Sequence, residues 1–478
     1  MAQEDFDLII IGSGPGGYVA GIRAGQLGLK VAVVERDPKF GGTCLHRGCI
    51  PTKALLHTAA LLDEIRGAVE HGVQVGAPVL DAARAHERKR KVVDKNARGI
   101  ESLFKKYKVD GILQGTGRLV GPNQVEVDGK EGKRVLSTRF VMIATGSVPR
   151  DVPIAPADGE RILNSDHVLL LERVPKSIAV LGAGAVGTEF ASLYASFGSE
   201  VTLIEMLPRI LPIEDEEVSA ELERALRKRK IKVLTGARMT GAEPAPGAPA
   251  AAGAPSGSAG VRISLERQGK AETVDAELLL SAVGRRPVTE GLGLEALGIE
   301  VERGYVKVNP LMQTNVPHIY AIGDVVNTPW LAHVASAEGI LAVEHMAGQT
   351  VRPINYDHVP SCTYCDPEVG SVGLSEARAR ERGYEVAVGK FPFTALGKAA
   401  IIGHTNGFVK VVRETKYDEL LGVHIIGASA TDLIAEACAA LQMEATDEEL
   451  IHTIHAHPTL SEAIGEAAHA AHGHAIHF

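Results

Sequence analysis

Two cysteines stand in the run Gly41-Gly42-Thr43-Cys44-Leu45-His46-Arg47-Gly48-Cys49-Ile50-Pro51-Thr52-Lys53. Thiols this close in sequence can alternate between a disulfide and a dithiol, which is a two-electron couple. On a regular helix the five steps from Cys44 to Cys49 give about 7.5 Å of rise, beyond the roughly 7 Å that a bridge tolerates between Cα atoms. The backbone between them must leave helical geometry, Gly48 permits that, and the expected bond is strained and reducible. Near the other end stands His455-Ala456-His457-Pro458-Thr459-Leu460-Ser461-Glu462. A carboxylate such as Glu462 can hold His457 in one tautomer and stabilise its cation, which makes it a general base for a thiol. Alone this is a histidine-rich loop; beside a thiol pair it supplies a part that the chemistry requires.

The elements that must position these groups begin at the N-terminus. Phe6 to Ile11 reads as a short buried strand, followed by Gly12-Ser13-Gly14-Pro15-Gly16-Gly17, a helix over Tyr18 to Leu27 and a second strand, Val31 to Glu35. In this strand, turn and helix, Gly12 permits the tight turn, Gly14 lets a pyrophosphate approach the backbone, and Gly17 allows close helix packing. Glu35 ends the second strand 18 positions past Gly17, where a carboxylate accepts ribose hydroxyls. The thiol pair follows directly, so thiol chemistry is joined to a redox dinucleotide.

The pattern recurs. A strand over Lys176 to Leu181 leads into Gly182-Ala183-Gly184-Ala185-Val186-Gly187, a helix to Phe197 and a strand from Glu200 to Ile204, with Glu205 again 18 positions past the last glycine. Two units imply two dinucleotides. Glu205 favours NAD, because a carboxylate that binds the free 2′-hydroxyl repels the phosphate of NADP. Arg209 could accept such a phosphate, yet its place in a Leu-Pro-Arg-Ile-Leu-Pro turn reads as surface pairing.

A chain of 478 residues holds more than one core, and three or four domains are expected. The net charge of -9 with interspersed signs and the 4% aromatic content argue against a nucleic-acid surface. The basic stretch Arg84 to Lys108 reads as a solvated helical face, since Glu87, Asp94 and Glu101 interrupt it. The start Met1-Ala2-Gln3-Glu4-Asp5 does not read as a secretory signal, and no apolar run approaches the ~20 residues of a membrane span. A cytoplasmic location is expected; there, five cysteines make no structural framework, and a surviving pair reads as catalytic. Cys362 and Cys365 read as strand residues pointing to opposite faces, with no second ligand pair for zinc, and Cys438 as helix core. No metal site is expected. The late histidines His469, His472, His474 and His477 read as a tail. From Glu243 to Gly260 the Ala, Pro and Gly content reads as a flexible loop.

The cysteine run resembles the redox-active signature of the flavin-dependent pyridine nucleotide-disulfide oxidoreductases. His457-Pro458-Thr459-Leu460-Ser461-Glu462 is similar to the branch of that family that oxidises dihydrolipoyl groups. The likeness extends through Ala144-Thr145-Gly146 and Tyr320-Ala321-Ile322-Gly323-Asp324. It implies an α/β fold: two Rossmann-like dinucleotide-binding domains, one for FAD and one for NAD, plus an α+β C-terminal dimerisation domain. The implied limits are 1–148 for the FAD domain with the redox disulfide and 149–281 for the NAD domain, with 243–260 as its flexible loop. A central domain, 282–351, completes the FAD site, and the dimerisation domain is 352–478.

Residue by residue, the resemblance implies that Cys44 is the interchange thiol and that Cys49 faces the flavin. His457 then acts on the thiols of the other subunit of a homodimer, oriented by Glu462, with a cis peptide at Pro458. FAD contacts are implied for Gly12, Gly14, Gly17, Glu35, Thr43, Lys53, Gly117, Thr145, Gly146, Asp324 and Ala332. NAD contacts are implied for Gly182, Gly184, Gly187, Glu189, Glu205 and Gly284, and Lys53 is expected to pair with Glu189. Trp330 is expected near the flavin. The implied function is oxidation of protein-bound dihydrolipoamide to lipoamide with NAD+, as a shared component of 2-oxo acid dehydrogenase complexes and of glycine cleavage. The expected partner is a lipoyl-bearing acyltransferase or glycine-cleavage carrier, because no lipoyl domain is attached at the N-terminus. His46-Arg47 departs from the uncharged pair common in the family; it could lower the Cys44 pKa, pair with the flavin pyrophosphate or sit in solvent. Alternatives are a reductase of another disulfide such as glutathione, against which Glu205 speaks, and mercuric reductase, which has an extra C-terminal cysteine pair. A flavin electron carrier that does not use the disulfide and a structural adaptor subunit of a multienzyme complex are the readings from other classes.

Overall fold

Short apolar strands alternating with helices suit a parallel sheet covered on both faces. The computed structural model describes residues 5–130, 132–245 and 260–478. These fall into two compact units: Met1–Ala54 with Arg84–Arg150 and Arg285–Tyr356, and Leu55–Ala83 with Asp151–Gly284 and Asp357–Phe478. The four-domain division is finer than this and stands as a proposal.

In the first unit, strand Asp5–Ile11 lies between Val31–Glu35 and Gly132–Ile143, all parallel, with Asp110–Leu113 beyond Val31–Glu35. Gly132–Ile143 is long enough to serve two sets of partners. Its first half pairs antiparallel with Gln124–Gly129, and its last residues pair parallel with Ile319–Ala321. Leu8, Ile9, Ile10 and Val31 to Val33 are fully buried. Helix Pro15–Gln26 lies close because its inward face is Gly17, Ala20, Gly21 and Ala24; a Cβ on Gly21 would stand 2.9 Å from Val33 Cγ2. The basic stretch forms helix Ala82–Tyr107, whose inward positions Ala85, Val93, Ala97, Ile100 and Phe104 recur at helical spacing. One turn of it is not solvated: His86 and Lys89 are buried, Nζ to Nδ1 3.1 Å.

The second unit contains the other parallel sheet, in the order Lys232–Leu234, Glu200–Ile204, Ser177–Leu181, Leu278–Ser281 and Ile162–Leu163. An antiparallel meander follows, Ala237–Ala245, Gly260–Arg267 and Lys270–Ala276. The expected 243–260 loop is corrected at both ends. Ala245 pairs with Gly260, and Ala245 and Val261 are buried in the hairpin core, so strand pairing runs through Glu243 to Ala245; residues 246–259 lie outside the described residues. The C-terminal sheet is antiparallel, in the order Ser361–Thr363, Glu368–Gly373, Leu420–Gly427, Phe408–Glu414 and Val386–Pro392. Helices Ala430–Gln442 and Glu462–Ala471 pack on it. Cys362 and Cys438 are half-buried and Cys365 is buried, and none of the three is in a disulfide. Cys365 lies beyond the end of the strand that carries Cys362. No helix among the described residues is long and apolar enough to cross a membrane.

A charged cluster sits inside this unit. The Lys410 side chain, 2% exposed, reaches Asp215 at 3.0 Å, Glu217 at 2.8 Å and Glu376 at 3.1 Å. Burial works against its charge, but the three carboxylates outweigh it and raise its pKa. A raised lysine pKa contributes stability that is complete below the unfolded value and is lost as pH climbs through the folded one. Lys410→Met strands the buried Asp215 carboxylate and is expected to cost about 3–5 kcal/mol. Urea denaturation followed by far-UV circular dichroism measures it; an unchanged midpoint would mean that the cluster is neutral to stability.

Candidate active site

The first fingerprint is a tight joint between strand Asp5–Ile11 and helix Pro15–Gln26. Gly12 has φ +105°, and a Cβ there would stand 2.3 Å from the Ala144 carbonyl oxygen. A Cβ on Gly17 would stand 2.0 Å from the Gly12 carbonyl oxygen, so strand and helix touch backbone to backbone. Gly14 is different: a Cβ there meets nothing within 4 Å, and the helix N-terminus opens onto free space. The N–H groups of a helix N-terminus facing open space suit a pyrophosphate.

Glu35, buried at the end of its strand, closes the joint. Its Oε2 accepts the N–H of Ser13 at 2.9 Å and the Ser13 hydroxyl at 2.6 Å, and its Oε1 accepts the N–H of Asp37 at 2.9 Å. Ser13 Oγ then accepts the N–H of Gly41 at 3.1 Å, which lays the start of the cysteine run on the fingerprint turn. Gly42 completes the approach, since a Cβ there would stand 2.6 Å from Gly14 Cα. Ser13 was not singled out from the sequence, where it is only the variable residue between two glycines.

Cys44 and Cys49 form a disulfide with Cα atoms 4.7 Å apart. Helix Gly42–Arg47 ends at Gly48, whose backbone (φ −146°, ψ −113°) is not helical, and a new helix, Cys49–Gly67, starts at the second cysteine. Thr52 closes the break by donating both N–H and hydroxyl to the Gly48 carbonyl, at 3.1 and 2.7 Å. Cys49 thereby heads a long helix, where the dipole favours a thiolate. His46 and Arg47 are not left in solvent: the His46 ring bonds the Phe40 carbonyl at 2.8 Å, and Arg47 pairs with Asp37 at 2.6 Å. Thr43 and Lys53 are half-buried in this run.

Five other expected flavin contacts lie in the same unit. Thr145 donates its hydroxyl to Val288 O at 2.6 Å, Gly146 has φ +68°, and Ala332 begins helix Ala332–Met346. The Asp324 carboxylate, in the turn Gly323–Val325, accepts the Ser147 hydroxyl at 2.5 Å. Burial pushes its pKa up, partly offset by Ser147 and Arg285. Gly117 is the fifth, on strand Thr116–Gly121; a Cβ there would meet Ile11 Cγ2 at 3.1 Å.

In the second unit the same joint is built again. Gly182 has φ +96°, a Cβ on Gly187 would overlap the Gly182 carbonyl, and a Cβ on Gly184 meets nothing within 4 Å. Glu205 mirrors Glu35, accepting the N–H of Ala183 at 2.7 Å and that of Leu207 at 2.9 Å. Gly284, with φ +108°, has open space over its Cα. Glu189 is buried and accepts the Tyr364 N–H at 3.0 Å. Arg209 is engaged with Glu216 and with the Pro212 carbonyl at 3.1 Å.

The His457 imidazole is 78% exposed, with Nδ1 2.8 Å from Glu462 Oε1, and the His457-Pro458 peptide is cis. Glu462 Oε2 accepts the Thr459 N–H at 2.8 Å, and this carboxylate occupies the first turn of helix Glu462–Ala471, whose dipole favours it. Partial burial works to raise its pKa, but the bonds from Thr459 and His457 prevail and lower it. Glu462 therefore stays ionised down through the ordinary carboxylate range, and its support of His457 is lost only as pH falls through that depressed value. A second pair, His455 to Glu436 at 2.7 Å, ties the same loop to helix Ala430–Gln442. It was not distinguished from sequence, because Glu436 lies 19 residues away on another helix.

Residues 6–339 match the pyridine nucleotide-disulphide oxidoreductase family, and residues 359–468 match its dimerisation domain. The chain is 47% identical to a dihydrolipoyl dehydrogenase of Bacillus subtilis, over the full length of both chains. It is 43% identical to a dihydrolipoyl dehydrogenase of Zymomonas mobilis, over 99% of this chain and 100% of that one. Among solved structures it resembles LpdA of Mycobacterium tuberculosis, with a TM-score of 0.87 and 26% identity over 97% of this chain and 99% of that one.

Proposed function

The chain belongs to the pyridine nucleotide-disulphide oxidoreductase family, and from that membership we propose that it is a dihydrolipoyl dehydrogenase, oxidising protein-bound dihydrolipoyl groups with NAD+. The observation that carries the reading is the Cys44–Cys49 bridge seated on one fingerprint turn, in a chain that also holds a second fingerprint and a His457–Glu462 pair. The open glycine cradles at Gly14 and Gly184 fit FAD and NAD respectively. Bound FAD would accept the electron pair of the enzyme dithiol and pass it to NAD+.

The chain's own groups account for the thiol steps. His457, in the homodimer that the dimerisation domain forms, takes the proton of a substrate thiol at the other subunit. The resulting thiolate attacks Cys44 Sγ; the substrate–Cys44 bond forms, the Cys44–Cys49 bond breaks, and Cys49 leaves as a thiolate at a helix N-terminus. The second substrate thiol then attacks the first substrate sulfur, closing the lipoyl disulfide and releasing Cys44. Lys53, one turn past Cys49, adds positive charge on the side where the flavin would lie. The lipoyl group comes from an acyltransferase of a 2-oxo acid dehydrogenase complex or from the glycine-cleavage carrier, and the enzyme works in the cytoplasm.

Glu205 favours NAD+ over NADP+. Glu205→Gln is expected to narrow the preference, as the ratio of kcat/KM values, by about 10- to 100-fold; an unchanged ratio would move the discrimination elsewhere. Trp330, the one tryptophan of the chain, packs on Tyr305 and donates to Val326 O at 3.2 Å. Its fluorescence is expected to rise when FAD is stripped, and equal emission from apoprotein and holoprotein would remove it from the flavin's surroundings. The function itself is tested by an anaerobic assay with dihydrolipoamide and NAD+, following NADH. Turnover of glutathione disulfide with NADPH, and none of dihydrolipoamide, would keep the disulfide chemistry and overturn the substrate.

A further inference from the structure

Glu338 is fully buried in the first unit, on helix Ala332–Met346, and a carboxylate tolerates such burial only where its oxygens find partners. Its Oε2 accepts the N–H of Gly323 at 2.7 Å, and its Oε1 accepts the hydroxyl of Tyr356 at 2.9 Å. Gly323, with φ +70°, opens the turn that carries Asp324. From the other side the Ser147 hydroxyl donates to Asp324, while Arg285 donates to Ser147 Oγ and to its carbonyl, both at 2.7 Å. The turn is thus held at its backbone by one carboxylate and at its side chain by a hydroxyl.

Glu338 cannot drift, because its helix is locked to the first fingerprint helix. A Cβ on Gly339 would stand 2.8 Å from the Gly16 carbonyl oxygen, and one on Gly16 would stand 2.9 Å from the Ala335 carbonyl oxygen. The N-terminus that faces the open cradle and the turn that presents Asp324 are therefore registered to each other, and Glu338 is the carboxylate in that contact, beside the Ile322 side chain packed on Gly16. Burial is the largest influence on both carboxyls and pushes both upward, and Asp324 adds to the push on Glu338.

We propose that Glu338 is a positioning residue for the flavin: it fixes the Gly323-Asp324 turn against the first fingerprint helix, and Tyr356 in turn holds Glu338. This rests on the reading of the chain as a flavoenzyme. Glu338 touches no reacting atom and acts through Asp324.

The test is reconstitution of apoprotein with FAD, read by flavin fluorescence, together with the flavin midpoint potential. Glu338→Leu fills the space but accepts nothing, taking the carboxylate acceptor from the Gly323 N–H and the Tyr356 hydroxyl; the FAD dissociation constant is expected to rise about 10- to 100-fold. In Glu338→Gln the amide oxygen can accept from Gly323 and the amide nitrogen can donate to Tyr356, so affinity should stay within about threefold. In an Asp324→Asn background the Glu338→Leu penalty should largely vanish, because non-additivity marks residues acting on one group. Unchanged affinity in Glu338→Leu, or an equal penalty in both backgrounds, would overturn the proposal and leave Glu338 a packing residue. Should Glu338→Leu not fold, Tyr356→Phe replaces it: weaker FAD binding and a shifted potential support the clamp, and identity with the parent on both sinks it. A parent protein that takes up FAD and oxidises dihydrolipoamide beside indifferent variants would fail this inference alone. A parent that takes up no FAD would fail the functional reading and the inference with it.

Discussion

Cys49→Ser is expected to abolish NADH formation from dihydrolipoamide, by about 10³-fold or more, while NADH still reduces an artificial dye through the flavin. The reason is bond order. The substrate thiolate needs a disulfide to attack, and a serine at position 49 leaves Cys44 a lone thiol with no sulfur partner to expel. Electrons from NADH to dye bypass that bond, so this half of the reaction should survive and prove that the protein is folded and loaded. Steady-state rates in both directions make the measurement. Retained dihydrolipoamide activity would mean that the cofactor takes electrons straight from substrate, which is the electron-carrier reading. Cys44→Ser should lose the first activity equally, since the two sulfurs act as a unit and their effects do not add.

His457→Gln is expected to lower kcat/KM for dihydrolipoamide by about 10²- to 10⁴-fold, the usual worth of a positioned base. The variant's rate should climb with pH as the substrate thiol itself ionises. Glutamine keeps the size of the side chain but cannot take a proton. Raising the pH supplies thiolate from bulk solvent, so the deficit should shrink at alkaline pH, and that recovery separates a lost base from a lost fold. Glu462→Gln should fall between parent and His457→Gln, because it removes the charge that supports the imidazole while keeping an acceptor 2.8 Å away. A pH profile of His457→Gln parallel to that of the parent would assign the base to another group.

Both experiments lean on features of different legibility. The strand Val31–Glu35, the helix Ala185–Phe197 and the strand Glu200–Ile204 lie where their patterns put them. Each belongs to a strand, glycine turn, helix and strand filled by residues that a covered parallel sheet demands, so the signal is complete within a single local stretch of chain. The departure from helix between the cysteines is equally local, since five helical steps overshoot a disulfide and one glycine must absorb the difference. The hairpin through Glu243 to Ala245 was misread for a physical reason: its composition is that of a loop, and only burial of Ala245 and Val261 against other strands makes it pair.

What the chain determines by itself are those conformations that a few neighbouring residues over-determine: the two fingerprint turns, the break at Gly48, and the closeness of His457 to a carboxylate five positions on. What only the tertiary structure decided are partnerships between distant charges. Lys410 and Asp215 are 195 residues apart and Arg285 and Ser147 are 138 apart, while Glu338 meets Gly323 across a helix and a turn. No periodicity marks such pairs, because a buried charge is set by which elements happen to surround it. The cost of leaving it unpaired then holds those elements together.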